Sequence, residues 1–307
     1  MTVPVPYPET KAPELAPSTW AARGRRMVYL TASLYVFVFA LLLMRAGAGG
    51  LEPLVKNHLA VSGIRNAIGF GWLFAYAVMS GSPAAATSLT LLDRAILNPL
   101  EAFGMITGSR LGASFVVLFL GFVYSMRGHE RRTSLSAGIL AFTVTGTTQV
   151  AALAIGSFVI GRGMVPYIPI RGGAAIGSMT DRLVGGLTTP VAAAAGDLGG
   201  PALVFVTGLG AILASFGLFD RGLPPLRIGG TALGGMNRLL YRPIVMFCLG
   251  MLVTAVSMSV SLSLSLLVPL SARGYVRREN LIPYIMGANM TTFIDTMLAS
   301  LLLINPM

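Results

Sequence analysis

The sequence predicts an all-α polytopic membrane protein made of two inverted repeats, each with a helix broken in its middle to form a re-entrant hairpin. Three observations lead there. Of the 307 residues, 54% are apolar and only 11% charged, with a mean hydropathy of +0.76, whereas soluble domains carry roughly 25% charge. Apolar runs long enough to cross a hydrocarbon core of roughly 30 Å follow one another along the chain. Two of these runs are interrupted, one in each half, by serine, glycine or proline.

The net charge of +11 would suit nucleic acid, but the arginines gather at the ends of apolar runs and form no basic stripe interleaved with aromatics. They orient the spans instead. Cys248 is the single cysteine and lies in an apolar run, which excludes a disulfide framework and a cysteine metal site.

Residues 1–26, with Pro4, Pro6, Pro8, Pro13 and Pro17 ahead of Arg23, Arg25 and Arg26, have no hydrophobic signal-peptide core and read as a disordered cytoplasmic tail. Residues 27–134 form the first repeat. Its first span, 27–44, follows those arginines and therefore runs outward. The run 68–92 is cut at Ser80-Gly81-Ser82-Pro83, because proline has no N–H to donate and glycine weakens a helix. Two half-helices meeting at a tip are expected, closed at the far end by interfacial Asp93 and Arg94. Residues 102–126 run inward onto Arg127, His129, Arg131 and Arg132.

Residues 135–200 link the halves: 135–160 returns outward, and 161–200 is a glycine-rich connection carrying Arg162, Arg171, Asp181, Arg182 and Asp197. The second repeat occupies 201–307. Its span 201–219 runs inward onto Arg221 and Arg227, opposite to the first. The run 243–270 has Arg238 and Arg242 before it and Arg273, Arg277 and Arg278 after it, so it enters and leaves on one side. Ser257, Ser259, Ser261, Ser263 and Ser265 alternate through its middle, a period that suits unwound backbone better than helix. Such backbone is tolerated at membrane depth where it is buried in protein or lines a cavity. Residues 281–304 are the last run.

Placing Gly71 on Gly250 without gaps aligns the two broken runs. Leu73, Met79, Ser80, Ser82, Leu91, Arg94, Ile106 and Gly108 then fall on Leu252, Met258, Ser259, Ser261, Leu270, Arg273, Ile285 and Gly287. Interrupted helices at matching positions of two opposed halves are the pattern of secondary transporters, with sites near the midplane. Half-helix N-termini offer N–H groups to an anion, and unwound carbonyls and hydroxyls can hold a cation.

The second half carries Ser257-Met258-Ser259-Val260-Ser261, then Gly287-Ala288-Asn289-Met290-Thr291-Thr292 and Asp295-Thr296; the first carries Met79-Ser80-Gly81-Ser82 and Gly108-Ser109-Arg110-Leu111-Gly112. From Gly50 on, with 161–200 least covered, the chain resembles the sodium/phosphate cotransporter family, whose repeats each carry a Gln-Ser-Ser-Ser hairpin followed by a Gly-Ala-Asn-(Ile)-Gly-Thr-Thr stretch. It departs from that pattern at Met79 and Met258 (glutamine in the family), at Gly81 and Val260 (serine) and at Arg110 (asparagine). The resemblance implies a multi-pass plasma-membrane symporter, N-terminus cytoplasmic, that moves inorganic phosphate with sodium as coupling ion, with no cofactor and no enzymatic activity. Oligomerisation is left open.

The implied phosphate-binding residues are Ser80, Ser82, Ser259, Ser261, Asn289 and Arg110, and the sodium-binding residues Ser257, Ser259, Thr291, Thr292 and Asp295. Serine at the tips can coordinate a hard cation, donate to phosphate, or simply let helices approach. Asp295, an ionisable residue in a membrane run, suits sodium, a proton or an arginine partner. Arg110 suits phosphate or Asp295 itself. Thr145, Thr147, Thr148 and Gln149 lie in the fourth span, where threonines bonding back to their own helix are expected. Other readings are a different anion or coupling ion, a non-transporting scaffold of the same fold, and a lipid-phosphate enzyme; the last lacks a clustered His/Asp/Glu set.

Overall fold

The computed structural model describes residues 20–59, 61–126, 131–164, 173–222, 242–272, 276 and 278–303. Most of the N-terminal tail, the basic flanks Arg127, His129, Arg171, Arg227, Arg238, Arg273 and Arg277, and the side chains of Asp181 and Asp295 lie outside the described residues.

Among the described residues every regular element is helical. The order is α1 (Trp20–Ala48), a π-helical turn (Leu54–His58), α2 (Gly63–Ala77), α3 (Gly81–Asp93), α4 (Pro99–Met126), α5 (Arg131–Gly161), α6 (Gly173–Gly222), α7 (Pro243–Ser257), α8 (Val260–Ala272), α9 (Arg278–Thr291) and α10 (Phe293–Leu303). Among the described residues, five segments are long and apolar enough to cross a membrane: in α1, α4, α5 and α6, and through α9 and α10 together. The protein is an all-α integral membrane protein. Large apolar side chains such as Val150, Ile155 and Phe158 stand exposed along α5, as a lipid-facing surface requires.

The first break sits earlier than the glycine and proline suggest. Gly81, Ser82 and Pro83 are the first turn of α3, and the chain turns at Val78-Met79-Ser80. Proline is tolerated there because the first turn's N–H groups have no helical partner. The second break is also short. Only Met258 and Ser259 separate α7 from α8, so Ser261, Ser263 and Ser265 are helical rather than unwound. Val260, Leu264, Leu267 and Val268 recur at helical spacing and are buried together, and burial of that face outweighs the alternating pattern. Met79 (φ 58) and Met258 (φ 47) both adopt left-handed backbone, which costs an L-residue roughly 1–2 kcal/mol. Met258→Gly should therefore raise stability by up to about 1 kcal/mol and Met258→Val lower it, read from thermal unfolding of the detergent-purified protein.

Glycines let neighbouring helices press together backbone to backbone. A Cβ on Gly71 would stand 2.1 Å from the Met105 carbonyl oxygen, and one on Gly108 2.0 Å from that of Ile68, so α2 and α4 touch backbone to backbone. A Cβ on Gly250 would stand 2.1 Å from the Tyr284 oxygen, and one on Gly287 2.1 Å from that of Phe247, making the same crossing between α7 and α9.

The glycine-rich stretch read as a connection is helical from Gly173 onward. Its alanine run 192–195 favours helix more than its glycines oppose it. The helix folds back at Gly199 and Gly200, the latter at φ 67 and ψ −168, backbone open essentially to glycine alone. Both arms lie along α1: Tyr35 donates to the Leu183 carbonyl at 3.5 Å, Leu43 clusters with Ala195 and Val204, and Gly47, Gly208 and Gly222 meet Phe205, Met44 and Leu30 in turn. Near the fold-back end, Arg45 pairs with Asp93 at 2.8 Å, and Arg94 Nε donates to the Arg45 carbonyl at 2.9 Å. These contacts tie α3 to α1.

Candidate functional site

The two breaks face one cavity of about 510 Å³. Met79 and Ser80 enter it from the first break, and Ser259, with Ser261 and Ser265 one and two turns on, from the second. Val116 and Leu120 of α4 and Phe216 and Asp220 of α6 complete the wall. Ser80 and Ser259 immediately precede the first turns of α3 and α8. Each helix therefore directs free N–H groups and its positive dipole end toward its break. Ser259 Oγ accepts the Leu262 N–H at 3.2 Å, a side-chain cap. Ser261 is 8% exposed, and its hydroxyl has no partner among the described residues.

Of the residues expected to bind phosphate, Ser80, Ser259 and Ser261 meet here. Ser82 is buried in the first turn of α3 and is not part of the cavity wall. Arg110, 2% exposed, hydrogen-bonds through Nη2 to Thr296 and stands over the Phe293 ring at 5.5 Å, so its guanidinium ties α4 to α10. Asn289 pairs with Thr145 of α5, Nδ2 donating to Oγ1 at 3.0 Å. Both positions thus make hydrogen bonds between helices.

Of the described residues expected to bind sodium, Ser259 lines the cavity, and Ser257, Thr291 and Thr292 are not part of its wall. Ser257 supports the second break, its hydroxyl donating to the Ser259 carbonyl at 3.2 Å. Thr291 bonds back to the Gly287 carbonyl at 2.9 Å, and Thr292 is buried. Thr147 and Thr148 also bond back to their own helix. A further polar cluster joins α7, α8 and α9: Thr254 donates to Ser263 at 2.8 Å, and Ser263 shares a 3.0 Å hydrogen bond with Tyr284.

Asp220 is the cavity residue that sequence reasoning missed. It follows the apolar run 201–219 and precedes Arg221, where it reads as an ordinary interfacial charge. Its signal was an ionisable side chain within a turn of apolar Phe216 and Phe219. Among the described residues no group of three or more His, Cys, Asp or Glu could hold a metal.

Fold and cavity together define a class: a polytopic membrane protein whose two interrupted helices enclose a serine-lined cavity. Comparison of the chain with protein-family models, curated proteins and solved structures finds no match.

Proposed function

We propose that the protein is a secondary transporter, a sodium-coupled symporter of inorganic phosphate built from two inverted repeats whose broken helices are re-entrant hairpins. One observation carries this reading: Ser80 from the first half and Ser259 and Ser261 from the second line one cavity, at the N-terminal ends of α3 and α8. Hydroxyls and helix N-termini are what a phosphate oxyanion needs in a site without arginine. A further feature supports the repeat: the Gly71, Gly108 crossing has its counterpart in Gly250, Gly287 at aligned positions.

The test is radiophosphate uptake into proteoliposomes with and without an inward sodium gradient. Wild type should show sodium-stimulated uptake, and Ser80→Ala with Ser259→Ala should cut it by about 10–100-fold, the loss expected for a hydrogen bond to a charged group. Uptake that is absent from correctly inserted wild-type protein, or that is unchanged in the variant, would sink the reading. Sulfate and arsenate as competitors would report a different anion, which Met79 and Met258 in place of amides make worth measuring.

A further inference from the structure

We infer that Asp220 is the ligand of a hard monovalent cation in this cavity, and that the cation it holds admits the anion. The inference rests on the transport reading for the anion, but not for the cation. Asp220 stands on the cavity wall with Ser80, Ser259, Ser261 and Ser265, and no basic side chain lines that wall among the described residues. It has no ion-pair or hydrogen-bond partner there either. Ser261 supplies the second, independent sign of a ligand: a hydroxyl on the same wall, buried to 8% exposure and without a partner.

Asp220 is not placed for the benefit of its helix. It lies in the last turn of α6, where the dipole's negative end opposes a carboxylate. Asp220 is exposed, and because it lines a cavity that two helix N-termini face, its charge has an electrostatic consequence there. Each helix N-terminus contributes roughly half a positive charge, and the carboxylate cancels about what the two supply. An anion entering such a cavity then meets little net attraction. A cation on the carboxylate restores the attraction. One carboxylate oxygen with serine hydroxyls is an oxygen-only donor set, the kind hard cations take. By linkage, each ion must then raise the other's affinity by the same factor.

The full chain, purified in detergent, is titrated with sodium against choline at constant ionic strength and fixed neutral pH. Radiosodium binding is measured without phosphate, and radiophosphate binding at each sodium concentration. Wild type should bind radiosodium, and its phosphate affinity should rise about tenfold or more from choline to sodium. Asp220→Asn should lose radiosodium binding and flatten the phosphate dependence, while Asp220→Glu keeps both. The Glu variant and an unchanged elution profile for the Asn variant separate loss of the ligand from loss of the fold. Wild type without radiosodium binding, or an Asn variant with the same sodium dependence, overturns the inference. Asp220-dependent radiosodium binding without any phosphate binding supports the cation site and sinks the phosphate reading instead.

Discussion

Alanine at Gly108 is expected to disrupt the first half of the protein, and alanine at Gly287 to do the same in the second. The new methyl carbons would stand 2.0 Å from the Ile68 oxygen and 2.1 Å from the Phe247 oxygen, far inside van der Waals contact. The opposing atoms are backbone, so no rotamer change relieves the clash, and the paired helices must separate. Overpacking of this kind costs up to about 3 kcal/mol, or roughly 6–12 °C in thermal midpoint for a chain of this size class. Gly146 is the control: nothing lies within 4 Å of a Cβ built there, and Gly146→Ala should be neutral or stabilise by up to about 1 kcal/mol. Thermal melts of the three variants in one detergent decide the matter. Equal midpoints for Gly108→Ala and Gly146→Ala would refute the backbone contact.

Arg110→Ala is the second variant with a large expected effect, and it falls on stability rather than on substrate affinity. The substitution removes a charge-assisted hydrogen bond to Thr296 and a cation–π contact with Phe293, and leaves a void at a residue only 2% exposed. Such hydrogen bonds are each worth about 1.5–3 kcal/mol and desolvated cation–π contacts about 2, so a loss of roughly 3–5 kcal/mol is expected. Arg110→Met, which fills the space without the desolvation of a charge, should recover part of it. On the proposed transport reading, both variants should retain the phosphate KM of whatever fraction folds, because the guanidinium reaches α10 and the cavity wall is made without it. A KM raised tenfold in Arg110→Met, with an unchanged thermal midpoint, would return Arg110 to the binding residues.

The contrast between Arg110 and Asp220 shows what a sequence leaves open. Both are ionisable residues in or beside apolar runs. Arg110 was legible as buried and consequential, but a guanidinium can satisfy itself on a hydroxyl and a ring as well as on an anion, and the choice depends on what α10 brings opposite. Asp220 stands out only in three dimensions: its neighbours in sequence, Phe219 and Arg221, are those of an ordinary helix end, whereas the cavity it lines is also lined by Ser80, Ser259 and Ser261. Asn289 met the same difficulty as Arg110: its amide is used by Thr145, distant in sequence.

The breaks were legible to within a few residues. Ser80 and Ser259 are legible, but the first turn lies earlier than its glycine and proline suggest, since both are tolerated in a helix's first turn, and the second is shorter than its alternating serines suggest. The arms of α6 were missed for a related reason. Glycine lowers helix propensity locally, while alanine content and burial along α1 decide the outcome over a longer window. Composition, the positions of the arginines and the aligned Gly71, Gly108 and Gly250, Gly287 pairs thus determined a helical membrane protein with an interrupted helix in each half, since these are one-dimensional properties of hydrophobic length and backbone permission. Which polar groups face one another was decided by tertiary structure alone. Each buried hydroxyl, amide or charge must find a partner or a ligand within about 3 Å, and that distance is set by how separate helices come to lie together.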